Sequence, residues 1–445
     1  MASEWTEVLV GDVFDLIPGF AFKSADFKPS GIPALKIKNV KANEINLNDL
    51  SYVDESFVIS KPDKLAQFSD ILITMSGNRF GSSTDTWVGK VAQFRRVGPY
   101  LVNQRVGILR LKKGVQADPR YCACVLSSPA YQEFFVQVGT SSGGQANLSP
   151  TQILTAKFVL PALAEQDRIA RLLGGLDDRR ASLLETSCTL ESVARSIFKS
   201  WFVDFDPVRA KAEGREPEGM DAATATLFPS SIEDSTLGPT PTGWTIGKVS
   251  DLGRVVCGKT PPTSNAHYYA EQIPFVTIPD MHGRVFVVRT GKMLSQLGAA
   301  SQHAKTIPAL AICVSCIATV GLVALTTEAS QTNQQINSII PNDEFRAYFS
   351  FFAMRDLGEQ IRSAGSGGSV FGNLNKSRFE SLAVLLPPPA IAEAYSIFVA
   401  PFFEKILSNV KMSNTLAELR DTLLPRLISG KLRVPEAEKL VEGAL

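Results

Sequence analysis

The chain has 445 residues, of which 45 are Lys or Arg and 44 are Asp or Glu, giving a formal charge of +1 with 44% hydrophobic and 20% charged residues. This apolar content excludes a disordered or collagen-like chain, and the length predicts two to four domains that each bury a core. A near-neutral total gives no polyelectrolyte signal, so any binding of nucleic acid must come from how the charge is distributed.

Cysteine usage and the amino-terminal segment indicate a cytoplasmic protein. Six cysteines in so long a chain lack the density of a disulfide framework, which fits a reducing compartment. The first seven residues contain no basic segment followed by an apolar one, so no secretory signal is expected.

The sequence repeats itself once. Trp5 and Val10–Val13 recur as Trp244 and Val249–Leu252, an offset of 239 residues between the two tryptophans. Between Pro161 and Pro387 the offset is 226, so the second copy is slightly shorter. Further matches are Gly19 with Gly258, 32–37 with 273–278, 103–106 with 333–336, 139–144 with 365–368, and 159–161 with 385–387. We interpret this pattern as an internal duplication.

Each copy begins with a strand-rich region, and in the first copy a long helix follows it. Val106–Leu111 is a predicted strand. From residue 164, apolar residues recur every seven positions, the pattern of a helix that packs against another helix. This heptad seam consists of Ile169, Leu176, Leu183, Leu190 and Ile197. We place Leu172, Leu173, Leu184, Val193 and Trp201 on the same side of the helix. The helix should end before Asp206 and Pro207.

A linker and the second copy come next. Residues 206–242 are rich in Pro, Gly, Ser, Thr and acidic residues and carry no periodic pattern. In the second copy, 285–288 is a predicted strand, and residues 307–325 are apolar enough to imitate a membrane span. The matching residues 68–92 include Asp70, which cannot lie in lipid. We therefore expect buried strands joined by turns and no association with a membrane.

The second copy also ends in a predicted helix, the natural partner of the first. Its corresponding seam positions are Phe402, Asn409, Leu416 and Leu423, with Leu407, Val410 and Leu419 nearby. Pro401 and Pro425 should bend or interrupt this helix, because each lacks a backbone donor. Gly430 is a plausible stop.

The motifs of catalytic sites are missing from the sequence. The three histidines are widely spaced and none lies in an HExxH motif, which argues against a zinc enzyme. Cys313 and Cys316 have the spacing of half a zinc site, but no second pair follows and their apolar surroundings favour a buried structural role. Residues 365–368 resemble a phosphate-binding loop without its GK[ST] ending. We predict a binding protein with no catalytic residue, metal or cofactor of its own.

Charge is distributed unevenly along the chain. Residues 1–160 contain 17 basic and 14 acidic side chains, and residues 243–386 contain 12 and 9, so each strand-rich region carries +3. Residues 206–242 contain 3 basic and 7 acidic side chains, hence −4. The neutral total therefore does not argue against binding of DNA by the two copies.

The duplicated order of strand-rich region and long helix resembles the specificity subunit of type I restriction-modification systems. The most specific stretches are LPALAEQDRIARLLGGLDD at 160–178, SIFKSWFVDFDPVRAKAEGREPEGM at 196–220 and LRDTLLPRLISGKLRV at 419–434. The second helix departs from the family's usual opening, because Ile391 and Ala392 stand where the first helix has Glu165 and Gln166.

This resemblance implies an α+β fold with two pseudo-repeated, mixed α/β target recognition domains, separated by two long antiparallel coiled-coil-like helices. A helix of about 40 residues is roughly 60 Å long, enough to hold two reading domains more than one duplex turn apart. The expected segments are target recognition domain 1 at 1–160, conserved spacer helix 1 at 161–205, the linker at 206–242, target recognition domain 2 at 243–386, and conserved spacer helix 2 with a C-terminal tail at 387–445.

The resemblance also implies function and partners. The chain would read a bipartite double-stranded DNA target without catalysing a reaction itself. It would dock two modification subunits, which bind S-adenosylmethionine and methylate adenine. Restriction subunits, which use ATP and Mg, would join through them.

Residues that could contact DNA are basic, amide and hydroxyl side chains, since Arg and Lys read guanine, Asn and Gln read adenine, and phosphates accept most donors. In the first copy the candidates are Lys36, Lys38, Asn39, Asn78, Arg79, Asn103, Gln104, Arg105, Ser141, Ser142 and Gln145. In the second copy they are Lys259, Thr260, Thr277, Arg284, Gln334, Gln335, Ser366 and Ser369. Because both copies share an Asn-Gln pair at 103–104 and 333–334, these pairs are more typical of framework or phosphate contacts than of different half-site specificities.

Other functions stay open at this point. The chain could be a non-catalytic coiled-coil scaffold that binds proteins and does not read DNA, and its helix pair could serve core packing or homodimerisation. A fused methyltransferase would need Asn or Asp followed by Pro-Pro and an aromatic residue, and neither 260–263 nor 386–389 meets that requirement.

Overall fold

In a computed structural model, the described residues are 5–47, 49–78, 87–142, 145–317, 319–343, 346–365 and 374–444, with the backbone alone described for 78, 141–142 and 360–365. The chain forms two compact units. The first comprises Met1–Ser182 and Ser413–Leu445, and the second comprises Leu183–Met412.

The first unit is built on a four-stranded antiparallel sheet. The strands of the whole first unit are β1 Thr6–Leu9, β2 Phe14–Pro18, β3 Phe27–Lys28, β4 Ile32–Leu35, β5 Val40–Lys41, β6 Glu44–Ile45, β7 Ser51–Val53, β8 Ile71–Thr74, β9 Ser76–Asn78, β10 Val91–Gln93, β11 Leu101–Val102, β12 Val106–Leu111, β13 Thr140–Ser142, β14 Gln145–Asn147 and β15 Lys157–Leu160. Its helices are α1 Val10–Val13, α2 Ser56–Ser60, α3 Pro119–Leu126, α4 Pro129–Val138 and α5 Pro150–Leu154. The central sheet has the order β10-β8-β12-β2. All four residues of β8 are buried, which fits a strand covered on both faces.

The second unit repeats this sheet with an added edge strand. The first long helix, α6 Leu163–Phe202, leads into it, followed by α7 Asp206–Ala212, α8 Ala222–Thr226, α9 Val249–Leu252, α10 Ile278–Met281, α11 Gln296–Ala300, α12 Ala347–Gly365 and α13 Lys376–Glu380. Its strands are β16 Ile232–Ser235, β17 Gly238–Pro241, β18 Thr245–Lys248, β19 Gly253–Cys257, β20 Tyr269–Val276, β21 Phe286–Val287, β22 Met293–Leu294, β23 Ile312–Ser315, β24 Val323–Thr326, β25 Gln331–Thr332, β26 Ile336–Pro341 and β27 Ala383–Leu386. The second long helix, α14 Pro389–Ile428, and α15 Val434–Ala444 complete the chain.

The two central sheets match strand by strand, as the duplication predicts. The order β19-β26-β23-β24-β21 reproduces β2-β12-β8-β10 and adds β21 at one edge. In both copies a second sheet contains one parallel pair, β4 with β11 and β20 with β25. A short antiparallel pair also joins the beginning and end of each copy, β1 with β15 and β18 with β27.

The apolar stretch 307–325 forms two antiparallel strands of the second sheet, as expected. Cys313 in β23 pairs with Ala324 and Ser338, just as Leu72 in β8 pairs with Ala92 and Ile108. Cys313 is fully buried, and burial raises the pKa of its thiol to about 12. Cys316 is also buried and unpaired, which agrees with a structural role. None of the described helices is both long and apolar enough to cross a membrane.

The two long helices run antiparallel, as the second unit demonstrates. There the Asn409 amide group donates to the Leu183 carbonyl oxygen at 3.4 Å, and the Tyr395 hydroxyl donates to the Ala194 carbonyl oxygen at 2.9 Å. Residue numbers therefore fall along α14 as they rise along α6. Each helix contains 40 residues, close to the predicted length.

The heptad seam on α6 is correct in its main row but not in every added position. Ile169 and Leu176 are buried, whereas Leu183, Leu190 and Ile197 are half-buried. On α14, Leu416 and Leu423 are buried, and Phe402 and Leu419 are half-buried. The predicted additions Leu173 and Trp201 are buried, whereas Leu184 and Val193 are exposed, because the second row of the seam passes through Ser187 and Ala194 between them. This second row consists of Gln166, Leu173, Arg180, Ser187, Ala194 and Trp201.

Of the two expected effects of proline on α14, a bend or an interruption, the interruption is wrong. The helix continues through Pro401 and Pro425 from residue 389 to residue 428. Val399 and Phe403, on either side of Pro401, are fully buried. We attribute the continuity to this burial, which offsets the lost backbone hydrogen bond. Gly430 adopts a positive φ of 69° just after the helix, as expected of a C-terminal stop.

The segment 206–242 is folded rather than featureless. It contains α7, α8 and the β16–β17 hairpin, and Val208 and Phe228 are buried in the core of the second unit. Phe228 packs edge-on against Trp201 of α6, with ring centroids 5.4 Å apart. Sequence periodicity missed this structure because its anchoring residues are irregularly spaced.

Candidate nucleic-acid interface

Several candidates of the first copy meet in one small sheet. Strand β14 pairs with β9 on one side and β13 on the other, so that Gln145 lies opposite both Asn78 and Ser142. The Arg105 guanidinium donates to the Gln145 side-chain oxygen at 3.3 Å. Ser141 is the neighbouring residue in β13. Arg79, a further candidate, lies outside the described residues. The fold therefore gathers basic, amide and hydroxyl residues from three separate segments.

Arg105 projects from a tight turn that joins β11 to β12. The Val106 N–H donates to the Asn103 carbonyl oxygen at 2.8 Å, and the Gln104 N–H donates to the Phe20 carbonyl oxygen at 2.9 Å. These backbone bonds fix the turn while the side chains of Gln104 and Arg105 stay exposed. Asn103 is half-buried, in keeping with the framework role considered for it.

The same turn recurs in the second copy, and a glycine supports it in both. The Gly19 N–H donates to the Val106 carbonyl oxygen, and the Gly258 N–H donates to the Ile336 carbonyl oxygen, each at 3.0 Å. A Cβ atom on Gly19 would lie 2.2 Å from the Asn103 carbonyl oxygen, and one on Gly258 would lie 2.1 Å from that of Asn333. Only glycine permits this approach of two backbones. The repeat therefore preserves a backbone support for exposed polar side chains, which we call the platform. It consists of Gly19 and the turn 103–106 in the first copy, and of Gly258 and the turn 333–336 in the second.

On the platform of the second copy, Lys259, Thr260 and Gln334 come together. The Thr260 hydroxyl donates to the Gln334 side-chain oxygen, and the Lys259 N–H donates to the Thr332 carbonyl oxygen at 2.9 Å. Lys259 and Gln334 are exposed. Gln335 instead faces its own turn, where its side-chain oxygen accepts a bond from the Asn333 amide group at 3.0 Å.

Some candidates have structural partners that turn them away from a ligand. Asn39 is fully buried; its side-chain oxygen accepts from the Lys36 N–H at 2.9 Å and its amide group donates to Asn46 at 3.0 Å. It therefore stabilises the turn 36–39 and is not a surface contact, contrary to the prediction. The Thr277 hydroxyl donates to Asp280 at 2.7 Å, which fixes the start of α10.

The remaining candidates lie apart from these clusters. The Lys36 ammonium group stacks 3.7 Å from the centre of the Phe27 ring, and burial together with the nearby Lys38 lowers the pKa of Lys36. Lys38 forms an ion pair with Asp49. Arg284 is exposed after α10. Ser366 and Ser369 lie outside the described residues.

Behind the second platform lies a buried network of side-chain amides that the sequence did not predict. Gln302 donates to the Lys259 carbonyl oxygen at 2.8 Å and to the Gln331 side-chain oxygen at 2.7 Å. Gln331, which is fully buried, donates in turn to the Ala299 carbonyl oxygen at 2.9 Å. This network holds the Lys259 backbone in place. The two glutamines are 29 residues apart in the chain, so no local pattern could have linked them.

Ion pairs attach the strand-rich part of each unit to α6. In the first unit, Arg95 pairs with Asp178 at 2.5 Å, and Arg120 approaches the same carboxylate at 3.6 Å. The Arg120 side chain crosses α6 at Gly174. A Cβ atom on Gly174 would lie 2.5 Å from a guanidinium nitrogen of Arg120. Glycine at this position therefore leaves room for the arginine.

In the second unit the attachment uses reciprocal pairs between α6 and α12. Arg195 of α6 pairs with Glu359 of α12 at 2.7 Å, and Glu191 of α6 pairs with Arg355 of α12. Both pairs join residues 164 positions apart, so the two helices run parallel and in register at this contact. Each helix supplies the arginine of one pair and the glutamate of the other, and this arrangement fixes their relative alignment.

Comparison with known sequences assigns the family. The type I restriction modification DNA specificity domain matches residues 2–187 and again 241–417, and these two matches coincide with the two copies. The chain therefore belongs to the family of type I restriction-modification specificity subunits, as its resemblance predicted.

Individual relatives cover most of the chain. It is 36% identical over 355 residues to the type I restriction enzyme HindI specificity subunit of Haemophilus influenzae, covering 71% of this chain and 77% of the relative. It is 22% identical to a putative type I restriction enzyme MjaX specificity subunit of Methanocaldococcus jannaschii, covering 97% and 94%. A crystal structure of a type I restriction-modification S subunit from M. genitalium has the same fold, with a TM-score of 0.53, 14% identity and 96% coverage of each chain.

Proposed function

We propose that this chain reads a bipartite DNA target, with each copy contacting one half of it. Its duplicated platform is the observation that carries this proposal, because the same glycine-supported turn presents different exposed side chains in the two copies. The first copy offers Arg105 beside Gln145, where the second has Gln335 in place of the arginine. The second copy offers Lys259 next to its supporting glycine, where the first has Phe20. A shared backbone with different side chains is what two different half-sites require.

The proposed partners follow from membership in the family. Two modification subunits would bind S-adenosylmethionine and methylate adenine, and restriction subunits using ATP and Mg would join the complex in the cytoplasm. This chain would contribute specificity and no catalysis. Duplication within one polypeptide supports binding of two copies of one partner, because the chain presents two versions of one fold.

Methylome sequencing tests the proposed function directly. Cells that express this chain with its modification subunits should carry adenine methylation at one split sequence, and deletion of the chain should remove that pattern. An unchanged methylome would contradict the proposal. Failure of the purified complex to bind any duplex at low and high salt would instead favour a scaffold that binds proteins alone.

Substitutions on the two platforms test the assignment of one half-site to each copy. Arg105→Met should weaken recognition of one half of the target by about 10- to 100-fold, the range for loss of a good base contact. Lys259→Met should act on the other half only, and Arg96→Met, an exposed arginine outside the small sheet, is the matched control. Equal losses at both halves from either platform variant would contradict the assignment.

Changes in the length of α6 test its role as a spacer. Residues inserted or deleted between Leu183 and Val193 should change the length of the unread gap in the target, or abolish assembly. The letters of each half-site should stay the same, because the platforms are untouched. Altered letters would contradict the spacer role of the helix.

A further inference from the structure

A cavity of about 200 Å³ lies in the second unit where two helices begin. Its wall includes Arg346, Phe349 and Ser350 at the start of α12, and Pro389 and Ala392 in the first turn of α14. The first turn of a helix presents unsatisfied N–H groups and a partial positive charge, so two such ends favour an anionic occupant.

The first copy fills the corresponding place with a side chain of its own. Gln166, in the first turn of α6, is fully buried there. Its side-chain oxygen accepts from the Asp118 N–H at 2.8 Å, and its amide group donates to the Pro161 carbonyl oxygen at 2.7 Å. The Asp118 carboxylate also accepts the Arg120 N–H at 2.7 Å and caps α3. Two oxygen acceptors thus face the helix starts in this copy.

The second copy lacks the Gln166 acceptor. Ala392 occupies the place of Gln166. Arg346, at the start of α12, brings a positive charge to this wall. Among the described residues, its guanidinium forms no ion pair, and the fully buried Ser350 hydroxyl on the cavity wall has no hydrogen-bond partner.

The acidic residue on this wall is already engaged. Asp251 lines the cavity, but its carboxylate accepts the Lys248 N–H at 2.8 Å. Asp12 makes the equivalent bond to the Leu9 N–H at 2.9 Å in the first copy. Asp251 is therefore part of the repeated framework, and it does not replace the Gln166 acceptor.

We propose that this cavity binds a small carboxylate, with one end between Arg346 and Ser350. A carboxylate supplies the oxygen acceptor that Gln166 provides in the first copy, and a planar guanidinium favours carboxylate geometry. The cavity has room for a short aliphatic chain behind the carboxylate, against Phe349 and Pro387. The site is a property of the second copy alone, and it is separate from the DNA platform.

Glutarate, a small carboxylate with a short aliphatic chain, is the probe for this site. Thermal unfolding of the full chain should show a rise in Tm of roughly 3–5 °C when glutarate is present at ten times its Kd. Glutaramide, which is neutral, and sodium chloride at matched ionic strength should produce no comparable rise. Isothermal titration calorimetry measures the same binding without heating.

Two variants and a control make the test specific. Arg346→Met removes the charge, and Ala392→Gln restores the side chain that fills the first copy, so each should reduce glutarate affinity at least tenfold. Arg378→Met, an exposed arginine elsewhere in the same unit, should keep it. The proposal is overturned if wild type does not bind glutarate, or if both Arg346→Met and Ala392→Gln bind it as wild type does.

Discussion

In the first unit, the strand-rich domain meets α6 through two arginines that converge on Asp178, whereas in the second unit an aromatic cluster dominates the same kind of contact. There Phe198 and Phe202 of α6 pack against Phe349 of α12 and Tyr395 of α14. Four strands of the central sheet and the glycine-supported turn are shared by both units. The difference teaches that the backbone platform is preserved while the side chains that attach it to the helices are free to change.

The largest expected effect comes from breaking the aromatic cluster. Phe202 is 7% exposed, and its ring lies 4.9 Å from that of Phe349 and 5.3 Å from that of Tyr395. Phe202→Ala should lower the free energy of unfolding of the second unit by about 3–5 kcal/mol, because it leaves a cavity among large side chains. Urea unfolding followed by circular dichroism measures the loss. Val193→Ala, on the exposed face of the same helix, should change it by less than about 0.5 kcal/mol.

Two ion pairs that differ in exposure should differ in how much they contribute to the free energy of unfolding. Arg420 is 12% exposed and pairs with Asp177 at 3.1 Å in the first unit. Arg420→Met should cost about 2–3 kcal/mol, because it leaves a largely buried carboxylate without its partner. Arg195→Met breaks a pair whose side chains are 47% and 42% exposed, and it should cost less than about 1 kcal/mol.

A double variant tests the cause of that cost. Asp177→Asn combined with Arg420→Met removes both charges, so it should recover part of the stability lost in Arg420→Met alone. Equal losses in the single and double variants would mean that the packing of the arginine, rather than its charge, stabilises this contact.

The shared platform should respond alike in both units. Gly19→Ala and Gly258→Ala each place a Cβ atom against a backbone carbonyl, so each should lower the free energy of unfolding by about 1–3 kcal/mol. Gly175→Ala is the control, because no atom lies within 4 Å and alanine favours the helix by about 0.5–1 kcal/mol. A loss in only one of the two platform variants would contradict their equivalence.

The smallest effect is expected at Asp178. Its side chain is 51% exposed, so Asp178→Asn should cost less than about 1 kcal/mol. Because solvent ions screen exposed charges, the difference in Tm between wild type and variant should shrink as salt increases. A difference that is unchanged in 1 M salt would assign Asp178 a role in packing rather than in electrostatics.

Periodic features of the sequence were the most reliable guides to the fold. The heptad residues Ile169 and Leu176 predicted a buried seam, and the strand Val106–Leu111 has the predicted bounds. The prediction that Leu184 and Val193 lie on the buried side of α6 is wrong, because residues next to them in the sequence also fit a hydrophobic pattern. The buried row is instead completed by Ser187 and Ala194, which are small enough for close helix contact.

The candidate interface was predicted less completely than the fold. Residue type selected Arg105 and Gln145, whose side chains are hydrogen-bonded to each other, but it also selected Asn39, which is buried. An asparagine that closes a turn and one that faces solvent have the same letter in the sequence. Only the partners of its amide group, which come from residues 36 and 46, distinguish them.

The duplication, the long helices and the family can be read from the sequence, because these depend on repeated spacing and on motifs that are local in the chain. Which polar groups are satisfied internally and which face solvent is visible only in the tertiary structure. The tertiary structure also exposed the difference between the two helix starts: Gln166 fills its site, whereas Ala392 leaves a cavity beside Arg346. The physical reason is that hydrogen bonding and burial depend on groups far apart in the chain, which a linear pattern does not bring together.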